Sequence, residues 1–322
     1  MNWLKRTLTG LGISAIILVG LVYVIWIPSE QEAPYQLIKT WGSKGDQNGQ
    51  FNEPTGITVS GNRLFVSDSR NSRIQVFDLD GNFIHLFGIE GDASGQLLRP
   101  MNLASTADEL FVADFFNDRI QVYGLDGVYR RSIGTPGSGE AEFNAPGGVA
   151  VADNGDVYVA DFYNQRVQQL RADGSFVRQW GKTGQVGVLD GKLNYPTDVA
   201  IAVNGDLYIA DGYNDRVLAY SEDGRLLNKW GGPFALNLFG PFNGWFATVT
   251  GIFTASNGDV FVADFYNDRI QKFTADGEFL TAFGVKSDGP SHSVIAVAVG
   301  EDGSVFVVDY NSNKIQKWHQ QR

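Results

Sequence analysis

The sequence predicts an all-β protein: a six-bladed β-propeller of four-stranded antiparallel blades, preceded by one transmembrane helix. The main observation is an apolar run that closes on Asp and recurs at spacings of 45 to 53 residues, which is a typical period for propeller blades. The composition agrees, because 39 Gly and 13% aromatic residues favour short strands and tight turns over long helices. The six copies close on Asp68, Asp114, Asp161, Asp211, Asp264 and Asp309.

Each repeat contains four predicted strands in a fixed order. An apolar run such as 148–152 comes first, and an Asn-Gly turn such as Asn154-Gly155 leads into an alternating run that ends on the Asp. A D-x-x-N-x-R loop and a third strand follow, and an Asp-Gly turn such as Asp173-Gly174 leads into the closing strand. These turn dipeptides supply the positive φ that two-residue hairpins require. No crossover helix is visible, so the sheets are expected to be antiparallel.

The two ends of the repeat array are expected to share one blade. The last repeat stops at "KIQKWHQQR" without a closing strand, whereas "YQLIKTWG" at 35–42 is a closing strand with no repeat before it. Pairing these two segments would leave no open edge in the ring. We therefore predict a propeller domain over 35–322 that is closed by strand 35–42 on the last blade.

Residues 1–34 are predicted to form a cytoplasmic stub, a transmembrane anchor and a short linker. The segment Leu8–Ile27 contains no charge, and twenty helical residues span roughly 30 Å, the thickness of a bilayer's hydrocarbon core. Lys5 and Arg6 precede this segment and Glu30 follows it. The propeller is therefore expected outside the cytoplasm, in the periplasm or at the cell exterior, on a single span of the cytoplasmic (inner) membrane. A cleaved signal peptide is the alternative.

The charge balance and the residue inventory exclude several functions. The formal net charge of −11 repels phosphate backbones, so no nucleic-acid partner is expected. The absence of Cys excludes disulfides, thiolate metal sites and cysteine nucleophiles. His85, His292 and His319 are scattered, and no Ser-His-Asp set, phosphate loop or H-E-x-x-H string occurs. The sequence therefore predicts no cofactor, no metal site and no catalytic residue.

The pattern F-N-x-P-x-G-I-x-V, then V-A-D-x-x-N-x-R-I-Q-x-F, D-G-x-F and W-G, resembles the NHL repeat family over essentially the whole chain after the anchor. This family is functionally diverse, so the resemblance implies the fold and says little about the ligand. Residues 195–217 also resemble part of peptidyl-α-hydroxyglycine α-amidating lyase, whose zinc is held by histidines that follow the blade-opening Pro. None of the corresponding residues here is His: Thr55, Met101, Gly147, Thr197, Thr250 and Ile295.

The D-x-x-N-x-R loops are expected to serve the framework, because a catalytic group is required once and not in every blade. One aromatic position inside the loops is the exception, and Arg70 occupies it in the first blade. We predict a broken aromatic ring around the top of the channel, the top being the face with these loops and the inter-blade links. Two interpretations stay open: packing between blades, or a platform for a sugar ring, peptide or lipid group. The four aromatic residues are Phe116, Tyr163, Tyr213 and Tyr266.

The innermost ring of the channel offers one carboxylate. Gluconolactonase-like propellers hold a divalent cation with a central Glu/Asn/Asp cluster. The predicted ring of this chain has one Asp and one Asn, which are too few to supply the roughly six oxygen ligands of such a site. Asp198, together with Asn102, is still a candidate for binding a ligand or for a reduced metal site, because it is the one carboxylate predicted in the ring near the channel mouth. The ring is predicted to contain Gly56, Asn102, Gly148, Asp198, Gly251 and Ala296.

The link between blades 4 and 5, residues 231–251, is the longest and is rich in apolar side chains, among them Phe239 and Trp245. It is expected either to tuck over the channel or to stand exposed as a docking patch. The linker Pro28–Pro34 reaches roughly 23 Å at most, and strand 35–42 is expected to start at the bottom. From this the sequence predicts that the bottom faces the membrane and that the link lies away from it.

These features favour a membrane-anchored extracytoplasmic binding or scaffold protein over an enzyme, with a protein, peptide or glycan bound on the top face. The alternative is a metal-dependent lyase or hydrolase of the six-bladed class, with a reduced metal site at Asp198 and Asn102. The candidate partner-binding residues are Phe116, Tyr163, Tyr213, Tyr266, Asn102, Asp198, Phe239 and Trp245.

Overall fold

The computed structural model describes residues 27–189, 191–284 and 293–321. In these ranges the chain forms six sheets of four antiparallel strands, as the repeat predicts. Of the predicted anchor Leu8–Ile27, only Ile27 belongs to the described residues, so that prediction lies outside them. Over the described ranges, no helix has the length and apolar character needed to cross a bilayer.

The strands are grouped in blades along the chain. The first is β1 (Tyr35–Trp41). Blade 1 contains β2 (Pro54–Ser60), β3 (Arg63–Asp68), β4 (Arg73–Asp78) and β5 (Phe83–Phe87), and blade 2 contains β6 (Pro100–Ser105), β7 (Glu109–Asp114), β8 (Arg119–Gly124) and β9 (Tyr129–Ile133). A link with β10 (Thr135–Pro136) and β11 (Glu142–Phe143) leads to blade 3, with β12 (Pro146–Val151), β13 (Val157–Asp161), β14 (Arg166–Leu170) and β15 (Phe176–Gly181).

The second half of the ring has the same organisation. Blade 4 contains β16 (Pro196–Ile201), β17 (Leu207–Asp211), β18 (Arg216–Tyr220) and β19 (Leu226–Trp230), and blade 5 contains β20 (Val249–Thr254), β21 (Val260–Asp264), β22 (Arg269–Phe273) and β23 (Phe279–Phe283). Blade 6 contains β24 (Val294–Val299), β25 (Val305–Asp309) and β26 (Lys314–Gln320). Short 3-10 turns lie at Ser69–Asn71, Phe115–Asn117, Gly212–Asn214, Pro233–Ala235 and Phe265–Asn267.

The ring is closed by the first strand. β1 pairs antiparallel with β26 from its first residue to its last, which is the predicted closure. Tyr35 stacks on Phe283 of blade 5 with ring centroids 4.2 Å apart. Trp41 packs on Phe306 of blade 6 at 6.4 Å and on Phe77 of blade 1 at 6.3 Å. β1 therefore completes blade 6 and also contacts both neighbouring blades.

Packing between neighbouring blades explains two recurrent motifs. The Trp of a W-G ending lies over the Gly of the Asp-Gly turn in the next blade. A Cβ atom added to Gly81 would lie 2.8 Å from the Trp41 ring, and one added to Gly277 would lie 2.6 Å from the Trp230 ring. Gly is required at this turn both for its positive φ and for the close approach of the aromatic ring.

The linker between the predicted anchor and β1 is bound to the outer edge of blade 5. The amide of Gln31 donates to the carbonyl of Leu280 in β23 at 2.7 Å. The side-chain amide of Asn243, in the link between blades 4 and 5, donates to the carbonyl of Pro28 at 3.3 Å. The sequence-based orientation placed the bottom of the ring towards the membrane and the link away from it. In the structure, residues 28–34 cross the edge of the ring, and Pro28 lies against the link.

Candidate functional site

The D-x-x-N-x-R loops bind the inter-blade links through buried Asp side chains. In blade 5 the Oδ1 atom of Asp264 accepts a hydrogen bond from the amide of Ala247 at 2.7 Å. Its Oδ2 atom accepts bonds from Arg269 at 2.8 Å and Gln271 at 3.0 Å. Arg269 also donates to the carbonyl of Trp245 in the link at 3.0 Å. The corresponding Asp is fully buried in all six blades: Asp68, Asp114, Asp161, Asp211, Asp264 and Asp309.

This network accounts for the recurrence of the motif. Five blades have the same contact between Arg Nε and Asp Oδ2 at 2.7 to 2.9 Å. The guanidinium is shared between the Asp and backbone carbonyls of the link. Because these polar atoms bind the protein's own backbone, the motif is part of the framework. The Arg residues are Arg73, Arg119, Arg166, Arg216 and Arg269.

Three of the four predicted aromatic residues lie on one continuous part of the top face. Phe116 is 55% exposed, and Tyr163 and Tyr213 are each 50% exposed. The preceding residues of two loops join them. The ring centroid of Phe115 lies 6.1 Å from that of Tyr163, and the centroid of Phe162 lies 6.2 Å from that of Tyr213.

Tyr195 belongs to the same surface and was missed by the sequence analysis. Its ring centroid lies 4.9 Å from that of Phe162 and 4.9 Å from that of Tyr213. It directly precedes the first strand of blade 4, and this variation between blades could have signalled a binding role. The residues at this position in blades 1 to 5 are Glu53, Arg99, Ala145, Tyr195 and Thr248. We define the aromatic surface as Phe115, Phe116, Phe162, Tyr163, Tyr195 and Tyr213.

The residues directly before the first strand of blades 4 and 5 are fixed by the preceding blade. Tyr195 has a left-handed backbone with φ of 51°, which costs a non-Gly residue roughly 1–2 kcal/mol. Its amide donates to Oε1 of Gln165 in blade 3 at 2.7 Å. Thr248 has the same geometry, with a φ of 61° and a bond of 2.6 Å to Oδ1 of Asp215 in blade 4. The side chains at this position are therefore presented from a rigid backbone.

Tyr266, the fourth predicted aromatic residue, lies in a separate cluster. It is 72% exposed and packs edge-on against Phe265, with ring centroids 4.9 Å apart. Phe265 in turn lies 6.3 Å from Tyr310 of blade 6. Between the described residues, no ring contact joins Tyr266 to the aromatic surface. The predicted aromatic ring is thus divided into two parts.

A charged cluster adjoins the second part. The Oε2 atom of Glu53 binds Arg70 at 2.7 Å and Arg99 at 2.9 Å, and it accepts a bond from the hydroxyl of Tyr310 at 2.7 Å. Partial burial acts in the opposite direction, but the bonds from Arg70 and Tyr310 and the charge of Arg99 hold the pKa of Glu53 below its ordinary value. Two guanidinium groups on one carboxylate leave a net positive charge on this side of the top face.

A small cavity of about 120 Å³ lies at the channel mouth beside Phe115 and Phe162. Its wall is formed mainly by the second residue of the first strand of each blade. This ring contains no carboxylate and no imidazole, so it does not offer the zinc ligands that the amidating-lyase resemblance would require. The ring consists of Thr55, Met101, Gly147, Thr197, Thr250 and Ile295.

Asp198 and Asn102 come together below this cavity. Asp198 is 1% exposed, and its Oδ2 atom accepts a bond from the amide of Ile252 at 2.9 Å. Its Oδ1 atom has no hydrogen-bond partner among the described residues, and a Cβ atom on Gly148 would overlap it. Burial raises the pKa of Asp198 to about 7, although the amide of Ile252 and the nearby Asn102 side chain act in the opposite direction. The described ranges contain no cluster of three or more His, Cys, Asp or Glu residues that could hold a metal.

The buried carboxyl of Asp198 makes folding stability depend on pH. An ordinary Asp ionises near 3.8, whereas folded Asp198 keeps its proton until about pH 7. Between these values the unfolded chain releases the proton and the folded chain does not, so this group lowers stability as pH rises from 4 to 7. Asp198→Asn should abolish that contribution, so the gain in the free energy of unfolding over the natural chain should be about 4 kcal/mol larger at pH 8 than at pH 4.

Urea unfolding at both pH values checks this expectation. Asp206→Asn is the control, because Asp206 lies in an exposed turn of the same blade. If the difference between Asp198→Asn and the natural chain is the same at pH 4 and pH 8, Asp198 is ionised in the folded protein throughout.

The link residues Phe239 and Trp245 lie at the edge of the ring. Phe239 is 73% exposed, and Trp245 is partly buried and packs on Phe242 with centroids 5.2 Å apart. Apart from Thr250, which already belongs to β20, residues 231–251 line neither of the two channel cavities, so of the two predicted placements the exposed patch is the observed one. The candidate residues therefore fall into three places: the top face, the channel and this edge.

Residues 51–77, 143–170 and 193–220 match the NHL repeat. These segments cover the first three strands of blades 1, 3 and 4. Protein lin-41 of Caenorhabditis elegans is 46% identical to this chain over 48 residues, which is 15% of this chain and 4% of that protein. The chain thus matches a small fraction of this curated relative. The resemblance of blade 4 to the amidating lyase stays a prediction.

Solved structures with the same fold include enzymes. Virginiamycin B lyase from Staphylococcus aureus has a TM-score of 0.59 and 15% identity, over 89% of this chain and 100% of that one. A gluconolactonase from Xanthomonas campestris has a TM-score of 0.64 and 14% identity, over 92% of this chain and 98% of that one. At these identities the likeness is one of fold alone.

Proposed function

We propose that this NHL-repeat propeller is a binding module for a protein, peptide or glycan on its top face. The observation that carries the proposal is the aromatic surface. Its residues Phe116, Tyr163 and Tyr213 are about half exposed, although they lie on a rigid framework. Aromatic side chains on rigid elements provide large contact areas at low entropic cost, and flat apolar faces of sugars and peptides stack on them. Exposed rings of this kind are typical of recognition surfaces.

The charged cluster narrows the ligand class. Arg70 is 53% exposed and Arg99 is 26% exposed, and the two share a single carboxylate, that of Glu53. Their remaining N–H groups suit a carboxylate or another acidic group of a ligand. The proposed ligand therefore combines a flat apolar part with an acidic group.

The proposed location is the outer side of the cytoplasmic membrane. The uncharged segment Leu8–Ile27 would be the single span, with Lys5 and Arg6 on the cytoplasmic side. A propeller held this way would act as a fixed docking module. Protease protection of the propeller in intact spheroplasts and inverted vesicles tests the orientation: accessibility only from the cytoplasmic side would contradict it.

Removing two exposed rings should weaken binding and leave the fold intact. Oligosaccharide arrays and a peptide library provide the probes, and the strongest binder found is titrated by calorimetry. Tyr163→Ala combined with Tyr213→Ala should weaken that binding at least about tenfold, because aromatic anchors dominate such interfaces. The free energy of unfolding should fall by no more than about 2 kcal/mol, since both side chains are half exposed.

The matched control is Ile84→Ala. Ile84 is 48% exposed and lies on β5, the outer strand of blade 1. Its replacement should leave binding unchanged. If the double Tyr variant instead loses more than about 3 kcal/mol of stability, the rings serve packing between blades. Unchanged binding by a stable double variant would rule out the aromatic surface as the site.

The alternative function is a metal-dependent lyase or hydrolase. The observation in its favour is the Oδ1 atom of Asp198, which has no hydrogen-bond partner among the described residues. The neighbouring Asn102 lines both channel cavities. A lone carboxylate and an amide supply fewer oxygen ligands than a Ca²⁺ or Mg²⁺ site normally has. Elemental analysis of protein purified without chelator separates the two functions. A stoichiometric divalent cation that is lost in Asp198→Asn would favour the enzyme.

A further inference from the structure

The link between blades 4 and 5 displays an uncharged apolar surface. Residues 231–248 contain no Asp, Glu, Lys or Arg, in a chain whose net charge is −11. Four of its side chains, defined here as the link patch, are between 41% and 73% exposed: Leu236, Leu238, Phe239 and Phe242. Contiguous apolar groups of this kind normally mark a contact with a partner or a membrane.

The backbone and the inner side chains of the link are held in place by the propeller. Ala235 and Asn237 have left-handed backbones with φ of 50° and 61°, a conformation that non-Gly residues rarely adopt. Arg269 donates to the carbonyl of Phe242, at 2.6 Å. Phe246 is fully buried and packs on Phe273 with centroids 5.6 Å apart. The link is thus fixed to the propeller through its backbone and its inner side chains, while the patch faces outward.

The chain from the N-terminal apolar segment reaches the propeller beside this patch. Pro28 lies against Gly244 of the link, where an added Cβ atom would be 3.3 Å from Pro28 Cγ. A crevice of about 980 Å³ between the outer strands of blades 4 and 5 is lined by Pro28, Phe279 and Leu236. The uncharged segment Leu8–Ile27 ends one residue before this contact.

The linker is bound to the propeller at several residues, so it does not extend away from the contact with Gly244. Gln31 and Glu32 both bond the carbonyl of Leu280, at 2.7 and 3.3 Å. The carboxylate of Glu32 also binds Lys272 at 2.7 Å, and Lys272 is nearly buried. A surface that held the segment before Ile27 would therefore lie at the edge formed by blades 4 and 5.

We propose that the link patch inserts into the interface of the same lipid bilayer that holds the N-terminal segment. This inference rests on the proposed membrane anchor. The patch has no charge to desolvate, so partition into the boundary between headgroups and acyl chains, roughly 5–10 Å deep, is favourable. The propeller then stands on the edge of blades 4 and 5, and the top face remains open to the solvent at the side.

Single-cysteine labelling of the full chain tests the proposal. The chain contains no Cys, so Phe239→Cys introduces one labelling site. The matched control is Ile89→Cys, because Ile89 is 64% exposed and lies on the link between blades 1 and 2, half a turn around the ring. Each variant carries a nitroxide and is reconstituted in vesicles of phosphatidylethanolamine and phosphatidylglycerol. Collisions with oxygen, which concentrates in hydrocarbon, are compared with collisions with a water-soluble nickel chelate.

The expected oxygen-to-nickel collision ratio is at least about threefold higher at position 239 than at position 89, as partition into the interface requires. Equal ratios in vesicle-bound protein would overturn the inference. So would a label at 239 that is shielded from both reagents, because that result would show a protein partner or a second copy on the patch. Flotation of the labelled protein with the vesicles is measured separately. If the protein does not float, it is the proposed anchor that fails.

Discussion

A chain that begins at Ser43 should lose most of the folding stability of the propeller, whereas a chain that begins at Pro28 should keep it. The shorter chain lacks β1, so the backbone groups of β26 form an open sheet edge. It also loses the packing of Tyr35 on Phe283 and of Trp41 on Phe306. These losses should exceed about 5 kcal/mol, which is comparable to the total stability of a typical domain.

Urea unfolding followed by tryptophan fluorescence measures the difference between the two chains. The chain that begins at Pro28 is the matched control, because it also lacks the predicted anchor but retains β1 and the linker contacts. The open edge should in addition make the shorter chain aggregate. Coincident unfolding curves for the two chains would show that the ring does not depend on its closing strand.

Asp211→Ala should destabilise the protein by about 3–5 kcal/mol. Asp211 is fully buried, and its Oδ2 atom accepts bonds from Arg216 at 2.8 Å and Asn214 at 2.8 Å. The side chain of Arg216 is only 1% exposed. The substitution would therefore leave a buried cation without its counter-charge, which is the costly way to break an ion pair.

The repeats supply a matched control for this prediction. Asp114→Ala breaks the same contact in blade 2, but the side chain of Arg119 is 15% exposed and can be solvated. The loss there should be smaller by about 1 kcal/mol or more. The double change Asp211→Ala with Arg216→Met should recover part of the loss, because the uncompensated charge is gone. Equal losses in the two blades would mean that the motif acts through its hydrogen bonds to the link and not through the buried charge.

The sites differ in how far they could be predicted. Phe116, Tyr163 and Tyr213 were found because they share one position in the repeat, and the structure places them on one surface. Tyr195 was missed because it lies outside the motif, before the blade-opening Pro. Asp198 and Asn102 were predicted to belong to the inner ring, and the structure places their side chains close together. Their degree of burial and the unpartnered Oδ1 atom could not be read from spacing.

The sequence by itself determined the number of blades, the order of strands and the closure of the ring. These features follow from local chemistry: alternating side chains, positive-φ turn dipeptides and an Asp that binds its own link recur within each repeat. The tertiary structure decided which side chains of different blades meet, such as Glu53 with Arg70, Arg99 and Tyr310. It also decided the path of residues 28–34, which follow the edge of blade 5 to the link. Such contacts join residues that are distant in the chain, so they depend on the twist and packing of whole blades. Because they do not recur from repeat to repeat, the sequence shows no pattern that predicts them.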